Sequence, residues 1–253
     1  MIKQFFCFLL LTFNLLSLTY LYAGWPVNRT PRIEGKVIDA TTGKPIENAV
    51  VSAEWIKQKP AMLDTVYRGF SHYVTITDKD GKYVIPAKIT IHMASSFWSL
   101  PIQIIHPLYE SQGFGCVCRK LDRFDLKSEH KQYQGKYGII VSGPSDNRFD
   151  YDLYVEKDGV VHYDVKLLSL EERYVKPMKM GTEKTLGFLS TMRNQKFLLD
   201  IYKQKNKKID IDAISKTYKK WLKDFPESQE LRHSVEEFEN EAIKYRHWMG
   251  ENE

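Results

Sequence analysis

The stretch Thr77-Asp78-Lys79-Asp80-Gly81-Lys82-Tyr83-Val84-Ile85-Pro86 decides the fold class. Asp78, Asp80 and Gly81 are residue types that tolerate positive φ and bond their own backbone, so the chain turns there. Residues 73–77 before the turn are β-branched or aromatic, and Tyr83 and Ile85 after it fall at period two. Two such runs around a D-x-D-G turn predict a β-hairpin.

Working outward, the same alternation recurs. Residues 32–38 alternate, then Asp39 to Pro45 carries Gly43-Lys44-Pro45, where Gly43 supplies the freedom of a turn and Pro45 stiffens its exit. Ala49, Val51, Ala53 and Trp55 lie two apart, on one face of a strand. Further strands are expected at 88–93, 101–106, 136–142, 151–156 and 160–168, the last two joined as a hairpin by Lys157-Asp158-Gly159. Short strands without a helical period between them predict an antiparallel β-sandwich over residues 32–170, with Val37, Ala49, Val51, Tyr83 and Ile85 facing inward.

These residues carry a resemblance. Gly35-x-Val37-x-Asp39-x-x-Thr42-Gly43-x-Pro45-Ile46-x-x-Ala49-x-Val51, followed by Thr77-Asp78-x-Asp80-Gly81-x-Tyr83-x-Ile85-Pro86, looks like the carboxypeptidase regulatory-like domain. His106-Pro107-Leu108-Tyr109-Glu110 resembles a later stretch of that family, with Leu108 where glycine is usual, and Tyr163-Asp164-Val165-Lys166-Leu167 is similar to its closing strand. The resemblance implies a transthyretin-like (prealbumin-like) β-sandwich in a non-catalytic accessory role. A compact member is much shorter, so the excess is assigned to insertions near 57–72 and 111–150.

From residue 171 to 253 the period changes to that of helices. Leu186, Leu189, Arg193, Phe197 and Ile201 step by three or four and predict a first helix. Asp210 or Asp212 caps a second, bearing Ile211, Ile214, Tyr218, Trp221 and Leu222. Leu231, Val235, Phe238, Ala242, Tyr245 and Met249 form the apolar stripe of a third, opened by Pro226. Charge is sorted along this region: residues 193–223 carry ten basic side chains against three acidic ones, and residues 224–253 carry three against nine. Neighbouring helices of opposite sign attract.

The chain has 253 residues, a formal net charge of +5 and 27% charged residues. That is ordinary globular composition, and the charge is too mild to imply nucleic acid. Residues 1–23 place Lys3 before an apolar run and end on Leu21-Tyr22-Ala23, which is the layout of a signal peptide. Export to the periplasm or beyond is therefore expected, with a linker at 24–31 and membrane attachment only through an uncleaved leader. Cys116 and Cys118, the two cysteines after the leader, make no disulfide framework.

No reaction motif survives inspection. His233-Ser234-Val235-Glu236 has the H-x-x-E form, yet a helix would hold His247, the only later histidine, too far away to share a zinc ion. Asp78, Asp80 and Gly81 lack the glutamate of a calcium loop, and Asp146, Asp150 and Asp152 read as a polar loop. No catalytic, cofactor or metal residues are expected. The work expected is binding, to a partner at the bacterial envelope, through the insertions or through Lys203, Lys205, Lys207 and Lys208. The alternative is a carbohydrate-binding module stacking sugars on Trp55, Trp98 or Tyr109, and the third reading is an enzyme with an unrecognised site.

Overall fold

Strand β2 (Arg32–Asp39) organises the first half, with Ile33 and Val37 inward. In a computed structural model, which describes residues 27–60, 65–91, 96–120, 137–142, 151–155, 159–179 and 195–250, β2 is flanked on both sides. On one side it pairs antiparallel with β5 (Lys82–Ile85), matching Gly35 to Tyr83 and Ile33 to Ile85. On the other it pairs in parallel with β11 (Val160–His162) and then β12 (Val165–Leu167). Between those two short strands the Tyr163 N–H donates to the Glu34 carbonyl at 2.7 Å, and Asp164 accepts from the Lys36 N–H at 2.8 Å. Gly35 makes this possible: a Cβ there would lie 1.6 Å from the Tyr163 carbonyl oxygen.

A second sheet is six-stranded and antiparallel, in the order β10 (Tyr151–Val155), β9 (Tyr137–Ser142), β8 (Tyr109–Lys120), β7 (Ser96–His106), β3 (Val50–Pro60) and β4 (Thr65–Ile76). Ala49, Val51, Ala53 and Trp55 from its β3 side, and Leu100, Ile102 and Ile104 from β7, share one buried cluster with Ile33, Val37, Tyr83, Ile85 and Leu167 of the smaller sheet. Each aliphatic side chain in such a cluster contributes about 1.5–3 kcal/mol before chain entropy is set against it. A two-stranded ribbon of β1 (Val27–Thr30) and β6 (Lys88–Ile91) lies at the side, held through the Trp55 indole N–H donating to Thr30 Oγ1 at 3.0 Å.

Three expectations change. The turn at 78–81 forms as read, with Asp78 Oδ1 accepting from the N–H groups of Asp80 and Lys82 and Gly81 at φ +71°. It does not close a hairpin, because β4 belongs to the large sheet and β5 to the small one; the Val37 N–H captures the Gly81 carbonyl at 2.8 Å and draws the chain across. Residues 151–155 and 160–162 also part, one to each sheet, so the expected hairpin through Gly159 is absent. Finally the smaller sheet is mixed rather than antiparallel, since β11 and β12 reach β2 by crossing over from the other sheet. Residues 57–60 and 65–72 continue β3 and β4, and 111–120 and 137–142 lie in β8 and β9.

The helical region covers the outer face of the large sheet. After α1, a π-helical turn (Glu171–Val175) running into Lys176–Lys179, come α2 (Gln195–Gln204), α3 (Ile211–Asp224) and α4 (Gln229–Met249). Asp210 caps α3 by accepting from the Ala213 N–H at 2.9 Å, as read from sequence. Ser228 caps α4, and Gly250 ends it at φ +81°. The α4 stripe from Leu231 to Tyr245 packs with Ile211, Ile214, Tyr218 and Trp221 of α3 and reaches Val50 and Ile105 of the sheet. On α2 the buried face is Leu198, Leu199, Ile201 and Tyr202, leaving Phe197 46% exposed. Of the stripe read from sequence, Ile201 is buried and Phe197 is not, while Leu186, Leu189 and Arg193 lie outside the described residues. Among the described residues no helix is long and apolar enough to cross a membrane.

Candidate functional site

Trp55 is 2% exposed, its indole N–H bonded to Thr30 and the Lys88 ammonium 4.9 Å from its ring centroid. It belongs to the inter-sheet core and has no free face on which a sugar could stack, which corrects the role expected for it. Trp98 lies in β7, and its side chain is outside the described residues. Tyr109 is half-buried and donates to Asp39 Oδ2 at 2.9 Å. Burial, then the hydrogen bond and charge of Asp39, push its hydroxyl up to about 12. Burial acts to raise Asp39, but hydrogen bonds from Thr42, Tyr109 and Thr41 outweigh it and hold the carboxyl below its ordinary value.

His106 stands beside this pair, its ring edge-on to Tyr109 at 5.0 Å between centroids. Its Nδ1 accepts from the Leu108 N–H at 3.1 Å, and burial pushes the imidazole down to about 4. The neighbouring Pro107 carbonyl accepts from the Tyr218 hydroxyl of α3, and Glu110 accepts from Tyr174 of α1. Tyr109, Pro107 and Glu110 are each bonded to another part of the fold, and His106 to its own turn. The β7–β8 turn is thus the joint between sheet and helices, although its residues have the composition of an active site.

The basic loop after α2 is more open. Lys205 and Lys208 are exposed, Lys203 is half-buried, and Lys207 pairs with Glu47 at 3.3 Å. The Lys207 carbonyl also accepts from Tyr245 at 2.6 Å, so the loop is fastened to α4. Lys205 and Lys207 line a shallow cleft of about 300 Å³ along the last residues of β4.

A larger concavity, about 740 Å³, runs along α3. Its wall carries Lys216, Lys219, Lys220 and Lys223, all exposed. The spacing i, i+3, i+4, i+7 places them on one face of the helix. Ion pairs with α4 and α1 consume the carboxylates around it: Lys219 with Glu239 at 3.2 Å, Asp212 with Arg246 at 2.7 Å, and Asp224 with Lys179 at 2.8 Å. Lys216, Lys220 and Lys223 are left without an ion-pair partner among the described residues. Sequence reasoning counted these lysines but drew the patch at 203–208, where the local density is highest. The signal that would have found them is K-x-x-K-K-x-x-K inside a helix whose other face is apolar.

The remaining motifs stay apart. His233 bonds Glu237 at 3.3 Å on the surface of α4, and the same unbroken helix carries His247. Cys116 and Cys118 lie in β8 with side chains outside the described residues, as do Asp146 and Asp150 entirely. Among the described residues no three His, Cys, Asp or Glu side chains gather where they could hold a metal ion.

No protein-family model matches the sequence, and no curated protein matches it. Among solved structures the chain is similar to a 9R-lipoxygenase from Cyanothece PCC8801, at 12% identity over 53% of this chain and 16% of that one, with a TM-score of 0.20. It is also similar to the major plantain pollen allergen, at 12% identity over 56% of this chain and 94% of that one, with a TM-score of 0.23. The chain thus spans about a sixth of the lipoxygenase's length. Likenesses this weak carry no functional argument.

Proposed function

We propose that this chain is an exported, non-catalytic binding protein of the bacterial envelope. Its scaffold is read as a transthyretin-like β-sandwich of the carboxypeptidase regulatory-like kind, carrying a helical layer whose basic face makes the contact. The shared cluster between the two sheets and the glycine contacts at Gly35 and Gly81 support the scaffold. The leader-like residues 1–23 support export. One observation carries the binding surface: three lysines of α3 line an open concavity and have no ion-pair partner among the described residues, while the titratable groups of the β7–β8 turn are tied within the fold.

Like charges at i, i+4 on a helix cost stability, so an uncompensated run suits an external anionic partner. The test is co-sedimentation of the purified chain with isolated envelope fractions. The wild type should pellet with the envelope at low salt and release at high salt, while the triple variant Lys216→Glu, Lys220→Glu, Lys223→Glu stays in the supernatant. A wild-type chain that never pellets overturns the binding reading. Export is checked separately by fractionating cells that express the full chain; retention in the cytoplasm removes it.

A further inference from the structure

We infer that the concavity along α3 takes a linear phosphate polymer. This rests on the α3 face being the contact surface and names what that surface holds. Its walls include Lys216, Lys219, Lys220, Lys223, Asp212 and Asp224, and among the described residues no aliphatic or aromatic side chain lines it. Protein partners are gripped by buried aromatic and apolar anchors ringed with polar groups, and this groove has none to offer. A bilayer presents a broad flat sheet of charge, whereas these charges lie on a narrow stripe of one helix along a concave wall.

Spacing and chemistry agree with a polymer. Lys216, Lys220 and Lys223 advance by four and then three residues, about 6 and 4.5 Å along the axis, so each meets a different anion of an extended chain. All four cations of α3 are lysines. A lysine is a flexible point charge that follows phosphate oxygens without demanding the planar two-point geometry that arginine matches to a carboxylate. Asp212 and Asp224 mark the two ends of the stripe and are themselves neutralised by Arg246 and Lys179, so neither repels an incoming polyanion at full strength. Lys219, shared with Glu239, is held at the inner edge, and Lys216, Lys220 and Lys223 are available to the ligand.

Titration calorimetry of the full chain with inorganic polyphosphate tests this. Three to four lysine–phosphate contacts predict that a fourfold rise in salt weakens binding about 20- to 50-fold, from a slope near −0.7 per contact. The variant Lys216→Gln, Lys220→Gln, Lys223→Gln should lose at least tenfold in affinity with a melting temperature no lower than the wild type's, because all three positions are exposed and a like-charge pair is relieved. The control Lys205→Gln, Lys208→Gln should bind as the wild type does. Absence of polyphosphate binding, equal binding by the triple variant, or equal binding of poly-glutamate of matched length each overturns the phosphate assignment. If envelope sedimentation still requires the three lysines while polyphosphate fails, only the ligand class falls; if both fail, the surface reading falls with it.

Discussion

The two buried clusters of this molecule are closed by different means. Between the sheets the core is built largely from aliphatic side chains at period two, and its tight places are met by removing atoms: Gly35 admits the Tyr163 carbonyl, and Gly81 admits the Val37 carbonyl. Under the helices the core is rich in large aromatics with polar ends, and its fit is achieved by adding hydrogen bonds. Tyr202 donates to the Asn48 carbonyl at 2.6 Å, Tyr218 to Pro107 at 2.5 Å and Tyr245 to Lys207 at 2.6 Å, while the Trp221 indole bonds Glu171. Burial pushes the hydroxyls of Tyr218 and Tyr202 far above their ordinary range, so they remain protonated donors. The sheet core relies mainly on shape, with only the polar ends of Trp55 and Tyr83 bonded at its margin. A helical layer laid on the outside of a sheet meets turns and strand ends with unpaired carbonyls, and it needs donors to seal against them.

The strongest way to break this contrast is to add one atom to the inter-sheet side. Gly35→Ala puts a Cβ where the Tyr163 backbone oxygen now sits, and backbone must move because the two nearest atoms belong to that carbonyl. The expected loss is about 4 kcal/mol, at the upper end for a single substitution. Urea denaturation followed by circular dichroism measures it. A loss under about 1 kcal/mol would show that β2, β11 and β12 separate easily and that the glycine is not what seals them.

A smaller effect is expected at the joint between the regions. His106 is held neutral, its pKa lowered from 6.5 to about 4 by burial. An unfolded chain takes up the proton first, so stability is complete above pH 6.5, is lost as pH falls through that window, and levels off below about 4. The loss should reach about 2–3 kcal/mol, and it precedes any loss from Asp39, whose depressed carboxyl titrates below its ordinary 3.8. Melting temperatures from pH 7 to 4 should trace this fall, and His106→Asn, which retains an acceptor for the Leu108 N–H, should flatten it. An unchanged acid limb in the variant would place the acid sensitivity elsewhere.

What could be read from sequence follows the range of the interactions. The face carrying Ala49, Val51, Ala53 and Trp55, the α4 stripe and the Asp210 cap rest on periodicity and short-range bonding, and the structure has them as read. The turn at 78–81 was legible for the same reason, but the strand it delivers is chosen by Val37, some forty residues away, and nothing local encodes that choice. Parallel capture of β11 and β12 by β2 is likewise a long-range event. Trp55 and Tyr109 were marked because aromatics serve both cores and sugars, and only burial separates the two uses. The lysines of α3 were visible as charge, but which of them remain unpaired depends on where α4 sets Glu239.

The finest comparison lies within the helical layer itself. The bond from Tyr218 to Pro107 is buried, whereas those from Tyr202 to Asn48 and from Tyr245 to Lys207 are only partly so. Replacing each tyrosine by phenylalanine keeps the ring and removes the donor, leaving a carbonyl that water can reach in two cases and not in the third. Tyr218→Phe should therefore cost about 1–2 kcal/mol, and the other two about 0.5–1 kcal/mol each. Hydrogen exchange should show the added opening confined to α2, α3 and α4, with the amides of β2 and β5 protected as before. Equal costs at the three positions would mean that the hydroxyls contribute as polar surface and not as seals. Loss of protection in β2 and β5 would mean that the two clusters open as one unit, which removes the distinction between a core closed by shape and a layer closed by donors.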